Sequence, residues 1–270
     1  MEFVILGSGG ATPTPRPFCQ CAVCRSARKG KGKRNHCTAF LSGTNALFDC
    51  GEDIAHSLNE QNIKRVDALF LSHWHPDHTL GLRDLLQSNY DFYGKKPVHV
   101  IDLFASKETW QRLRKSFAMV DYFYGVQRLA KIRFFEHGKK IRFRGATVTP
   151  IGFQGKGSEI FGFLVEAKGK RLFYAPCDTL NLKEKFIPKN LDMLVTECGL
   201  FSGSLKTEIS FEEMLSRIER NKPKKATLTV LTHIEEFEVN LVGTEALKEA
   251  EKKFKNLNLR FAFDGMKIKL

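Results

Sequence analysis

The stretch Ser72-His73-Trp74-His75-Pro76-Asp77-His78 sets three imidazoles and one carboxylate within six residues. The run before it, Val66-Asp67-Ala68-Leu69-Phe70-Leu71, is apolar enough to be a buried strand. After it, Leu80-Gly81-Leu82-Arg83-Asp84-Leu85-Leu86 has helical spacing. The polar cluster therefore sits in a strand-to-helix loop, at the carboxyl end of a strand, where open α/β sheets place their sites. Neutral imidazole and carboxylate are good ligands for zinc and similar ions. His73 and His75, two apart, share one direction on an extended strand end, and Asp77 and His78 on the turn beyond face a second ion nearby. A surface loop that is merely rich in histidine does not account for ligand types at alternating positions between a strand and a helix.

Working outward, two more ligand types follow apolar strands. Asp178 stands in Ala175-Pro176-Cys177-Asp178-Thr179, and His233 in Thr232-His233-Ile234. At the amino end, Met1-Glu2-Phe3-Val4-Ile5-Leu6 reads as a strand running into Gly7-Ser8-Gly9-Gly10. Glycines there let the backbone pass close to a ligand or make a tight turn. Cys19, Cys21 and Cys24 then form a Cys-x-Cys-x-x-Cys run whose thiols can wrap one tetrahedral ion. Its fourth ligand comes from elsewhere: Cys37, His36 and the Glu235/Glu236 pair are the candidates. Between them, residues 25–34 hold six basic side chains in ten, a phosphate grip or a solvated loop. Asp49, at the end of the strand 45–48, can accept an imidazole N–H and orient a ligand.

The remaining pattern is strands first, then helix and strand. Residues 38–41 and 45–48 read as a hairpin, 53–61 as a helix, 98–101 as a strand and 107–117 as helix. Residues 131–174 alternate like antiparallel strands, and 193–196, 211–220 and 226–231 read as strand, helix and strand. Of Tyr90, Phe92, Tyr93, Tyr122, Phe123 and Tyr124, most are expected in the core. The 270 residues carry 42% hydrophobic side chains, 23 of them Phe, enough for a sizeable core. No linker or short-period repeat breaks the chain, so one domain over 1–270 is expected, with a Cys-rich basic insertion at about 18–37.

The His-Asp motif resembles the H-x-H-x-D-H signature of the metallo-β-lactamase superfamily. The resemblance implies an α/β fold, a four-layer αββα sandwich with a one- or two-metal site at one edge of two facing sheets. It also assigns ligands: His73 and His75 to the first metal, Asp77 and His78 to the second, Asp178 bridging, and His233 completing the second. Asp77, His78, Asp178 and His233 would surround the reacting atoms, and a water activated by the metals would attack phosphorus in line. A further family histidine belongs after the strand 148–151. The loop here reads Gly152-Phe153-Gln154-Gly155-Lys156-Gly157-Ser158-Glu159, with Gln154 nearest the expected place.

The glycine turn, the three cysteines, Cys-Asp-Thr, Leu-Thr-His and Phe263-Asp264-Gly265-Met266 together look like the phosphoribosyl 1,2-cyclic phosphate phosphodiesterase family of the carbon–phosphorus lyase pathway. In that family a histidine three residues after the last active-site histidine completes a structural zinc site; here the position is Glu236. The resemblance implies a metal-dependent phosphodiesterase acting on a cyclic or small phosphodiester, with Zn2+ at the active site (one or two ions, Mn2+ as the alternative) and one structural Zn2+. The alternatives are a tRNA 3′-processing-type nuclease, a relative of the pyrroloquinoline quinone biosynthesis protein B type, and a metal-binding nucleic-acid binder without turnover. The net charge of +13 suits a phosphate ester or nucleic acid. No run of about 18 apolar residues suggests a membrane span. A strand at the start rather than a signal peptide, with seven Cys, leads to an expected cytoplasmic location with free or metal-bound thiols. A homodimer is compatible with all of this.

Overall fold

The structure, a computed structural model, describes residues 1–155, 157–201, 208–220, 227–236 and 242–270. Lys156 and Ala226, the latter read above as a strand start, lie outside the described residues.

Two seven-stranded sheets face each other. The first runs in the order Met266–Lys269, Glu2–Gly7, Thr38–Leu41, Ala46–Phe48, Ala68–Phe70, Ile101–Ala105, Ala130–Phe134. The second runs Leu259–Phe261, Leu228–Thr232, Met193–Glu197, Lys170–Ala175, Glu159–Ala167, Ala146–Gln154, Ile141–Phe143. Period-two alternation divides each strand between two cores. Phe3 and Ile5 point between the sheets, where they join Phe48, Phe70, Phe161, Phe163 and Tyr174. Val4 and Leu6 point outward with Leu69 and Leu103, under Ile54, Leu82, Leu85 and Trp110 from the covering helices. In the second sheet, Leu164, Phe173, Leu194 and Leu231 face Met214, Ile218 and Leu247 of the helices Phe211–Arg220 and Thr244–Lys253. The four layers are thus helix, sheet, sheet, helix, as expected. Strands with both faces buried explain why their runs are almost wholly apolar.

Each sheet contains a parallel block. Ala46–Phe48, Ala68–Phe70, Ile101–Ala105 and Ala130–Phe134 are parallel neighbours. So are Lys170–Ala175, Met193–Glu197, Leu228–Thr232 and Leu259–Phe261. Asp49, the 72–78 loop, Cys177-Asp178 and His233 all follow carboxyl ends of these strands, and Phe161 N donates to Ser72 O (3.0 Å) across the gap. Topology alone therefore gathers the ligand-type residues at one edge.

Three expectations need correction. The strand placed at 98–101 runs Ile101–Ala105. The first strand of the 131–174 series, Ala130–Phe134, is parallel and belongs to the first sheet; alternation reports a half-buried strand but not its partner. Of the six clustered aromatics only Phe123 is fully buried, whereas Phe92 (64%), Tyr93 (100%), Tyr122 and Tyr124 (44% each) are exposed. Ring count alone cannot tell an apolar core face from an exposed turn.

Phe48 is wholly buried and packs its ring against Phe3, Phe70, Phe163 and Tyr174, with centroids 5.3–5.9 Å apart. Phe48→Ala is expected to destabilise the fold by about 3–5 kcal/mol. Urea unfolding measures this, and a loss below about 1 kcal/mol would contradict a shared core between the sheets.

Candidate metal centre

Asp49 follows its strand in a left-handed backbone conformation (φ 61°). This turn aims its carboxylate at the next loop. Asp49 Oδ1 accepts from Ser72 N (2.8 Å), and Oδ2 accepts from Ser72 Oγ (2.9 Å) and His78 Nδ1 (2.9 Å). Ser72 Oγ, having donated its hydrogen to Asp49, accepts from His73 Nδ1 (2.9 Å). One carboxylate thereby sets the tautomer of two imidazoles, leaving the Nε2 lone pair of each free to bind a ligand. Gly51 and Gly81 let the loop close: a Cβ on Gly81 would stand 2.1 Å from Gly51 O.

His73 and His78 are wholly buried, and His233 nearly so. The Nε2 atoms of all three have no hydrogen-bond partner. His78 Nε2 and His233 Nε2 lie 3.2 and 3.4 Å from Asp77 Oδ2, off the axis a hydrogen bond needs. Asp77, His78 and His233 each offer an atom, and these lie within 4.8 Å of one another. A second group on the same terms is His73, His78 and Cys177. Unpaired buried nitrogens cost free energy unless something fills the space between them. Nitrogen, carboxylate oxygen and sulfur are the donor set of a divalent ion, so these residues fit one.

The electrostatics agree. Burial, helped by His78 and His75, pushes His73 well below the usual imidazole range, so it is a neutral ligand. Burial opposes charge on Asp77, yet His78 and His233 hold its carboxyl far below the usual range. Burial likewise opposes charge on His78, but Asp77 and Asp49 lift it well above the usual range. His233 is lifted too, against burial, by Cys177, Asp77 and Glu235. Without a cation these acidic neighbours, Cys177 among them, favour the protonated form of two buried imidazoles; a divalent ion takes the place of that positive charge.

Of the other expected ligands, His75 is half-buried with its ring 4.5 Å from that of His73. Asp178 is buried at a left-handed turn (φ 52°) but belongs to neither ligand group; its neighbour Cys177 does. His233 also has positive φ (52°). Three non-glycine residues in this strained region, each costing on the order of 1–3 kcal/mol, stand together at one sheet edge, as strained residues do at functional sites. Gln154 is exposed at the end of its strand, and its Nε2 donates to Ser158 O (3.2 Å) within its own hairpin. In the sequence, the signal for Cys177 is its adjacency to Asp178 at a strand end.

The cysteine run forms its own group. Cys19, Cys21, Cys24 and Glu236 each offer an atom within 4.8 Å of the others. Glu236 lies 3.2 Å from Cys21 Sγ and 3.1 Å from Cys24 Sγ. Burial and Glu236 push the Cys24 thiol up to about 12, which a cation would reverse. Backbone N–H groups of Cys24 and Arg16 donate to Cys21 Sγ and Cys24 Sγ (3.3 Å each), and Arg16 Nε donates to Glu236 (3.1 Å). Cys37 is elsewhere, in the core against Tyr174 Oη and Thr232 Oγ1 at 3.5 and 3.6 Å. His36 pairs with Asp53 (2.6 Å), and Glu235 accepts from Ala11 N (2.9 Å). The glycine turn packs on the backbone of Asn35 and His36, so it serves close approach of chain to chain. In the basic run Arg25, Arg28, Lys29, Lys31 and Lys33 are exposed, whereas Arg34 is buried and donates to Ser8 Oγ (2.8 Å).

The family model described as the beta-lactamase superfamily domain matches residues 44–234, which span both ligand groups of the His-Asp edge. The chain belongs to the metallo-β-lactamase superfamily. Among solved structures, a diphosphatase from the PhnP family is 22% identical with a TM-score of 0.78, covering 100% of this chain and 97% of that one. Zn2+-bound PqqB from Methylobacterium extorquens is 18% identical with a TM-score of 0.78, and both chains are covered completely. At these identities the likeness speaks for the fold. The ribonuclease Z of Thermococcus gammatolerans is 26% identical over 214 residues, 78% of this chain and 57% of that protein. An octanoyltransferase of Porphyromonas gingivalis is 36% identical over 88 residues, 32% of this chain and 18% of that protein. The chain thus spans less than two thirds of the length of these two relatives.

Asp49→Ala is expected to weaken ion binding at the His-Asp edge about 10–100-fold, since both imidazoles lose their orienting acceptor. Titration with Zn2+ followed by calorimetry measures it. The ion held by the cysteine group should be unaffected, and an unchanged affinity at the His-Asp edge would contradict the relay through Ser72.

Proposed function

We propose that the chain is a metal-dependent phosphodiesterase that hydrolyses a small or cyclic phosphodiester. The observation that carries the reading is the trio of buried, unpartnered Nε2 atoms of His73, His78 and His233 around the ionised Asp77. His73, His75, Asp77, His78 and His233 would hold one or two divalent ions, Zn2+ first, with Asp178 beside them; Cys19, Cys21, Cys24 and Glu236 would hold a structural Zn2+. When bound, such ions lower the pKa of an attacking water and neutralise charge on the phosphoryl oxygens.

The protein's own contributions follow from the geometry. Asp49 and Ser72 fix the imidazole tautomers before substrate arrives, so no reorganisation is needed during reaction. Asp77, ionised and nine-tenths buried, would hold such an ion as a carboxylate ligand and fix its position at the reacting atoms. The net charge of +13 and the exposed basic side chains of residues 25–33 favour an anionic substrate.

The match to ribonuclease Z sequences favours one second reading, a nuclease acting on the 3′ end of tRNA. The two separate on substrate: a cyclic or small phosphodiester for the first, a precursor tRNA for the second. Salt-dependent RNA binding with no cleavage of either would contradict both and leave a binding protein.

The Zn2+-loaded protein is expected to hydrolyse bis(p-nitrophenyl) phosphate, and Asp77→Asn to lower kcat/KM about 100-fold or more. Equal rates for the two proteins would contradict a role for Asp77 at the reacting atoms.

A further inference from the structure

The strand Lys170–Ala175 delivers two ligand-type residues in succession, Cys177 and Asp178, the second in a left-handed backbone conformation. The sulfur of Cys177 lies within 4.8 Å of ligand atoms of both His73 and His78. Cys177 is 5% exposed, and the two imidazoles are wholly buried. The Nε2 atoms of His73 and His78 have no hydrogen-bond partner, so two buried, unsatisfied imidazole nitrogens belong to the same group as the sulfur. On the other side, Gln154 is exposed with its amide committed to its own hairpin. Cys177 is thus the sulfur donor at an edge otherwise built of nitrogen and oxygen.

We propose that Cys177 is a thiolate ligand of the active-site ion, and that this sulfur sets the identity of the metal. The inference rests on the reading of the His-Asp edge as a metal centre. On binding, the S–H proton leaves to solvent and a sulfur lone pair forms the metal–sulfur bond, with no change of oxidation state. Thiolate is a soft donor that selects Zn2+, Co2+ or Cd2+, whereas an oxygen donor in its place suits Mn2+. The sequence-level choice between Zn2+ and Mn2+ is therefore decided by residue 177.

The test is Co2+ substitution of the full chain and of Cys177→Ser, with ions per chain counted in each. The cysteine group contributes the same sulfur-to-cobalt charge-transfer absorption to both proteins, so the difference spectrum reads Cys177 alone. The expected result is lost absorption in Cys177→Ser, at least about tenfold weaker Zn2+ binding at the His-Asp edge, and a shift toward Mn2+ in Cys177→Asp. Superimposable spectra with ions bound beyond the cysteine group in both proteins would overturn the role of Cys177 but leave the metal centre standing. An ion at the cysteine group alone in the unmutated chain would overturn both. Cadmium NMR of the unmutated chain reads the same point should Cys177→Ser not fold. A resonance displaced by a single sulfur is the expected result; one typical of nitrogen and oxygen alone would overturn it.

Discussion

The carboxylate of Asp49 is the constraint from which the His-Asp edge is built. It is wholly buried, and it survives there because three hydrogen bonds from Ser72 and His78 converge on it. Those bonds lock the loop 72–78 against the end of the strand Ala46–Phe48, and through Ser72 Oγ they also orient His73. Removing this charge would release two imidazoles and leave three buried donors unpaired. The ligands are therefore held by a second layer of polar contacts, and that layer is set by the register of Phe48 beside Phe70.

The two ligand groups are mechanically joined. Glu236, three residues beyond His233, reaches the cysteine group, and Ile234 between them donates its N–H to Ser8 O (2.9 Å). The cysteine group thus staples the loop that carries His233 to the amino-terminal turn. An ion held there would stabilise the position of the last histidine without touching substrate. Glu235 stands 3.6 Å from His233 Nδ1 and accepts from Ala11 N, adding a third tie. An ion at Cys19, Cys21 and Cys24 would thereby help shape the His-Asp edge.

Much of this was legible in the sequence, and the reasons differ by element. The motif 73–78 and the helix Phe211–Arg220 were readable because local patterning alone specifies them. The four layers were readable because both faces of each strand are apolar and the family motif names the architecture. The partner of Ala130–Phe134 was not, since pairing is decided by where the chain crosses between sheets. Asp178 was readable as a ligand type after a strand; the approach of the Cys177 sulfur to His73 and His78 was not, because contacts across a sheet edge leave no mark in a residue pattern. Glu236 was readable only as one of several candidates; burial of Cys37 beside Tyr174 separates them.

The central claim, that the buried histidines of the sheet edge form a metal centre distinct from the cysteine group, is tested most directly by elemental analysis of Cys21→Ser/Cys24→Ser beside the unmutated chain. The account predicts that the double variant loses one ion per chain and keeps at least one. A double variant that retains no ion, beside an unmutated chain that holds one, would contradict it.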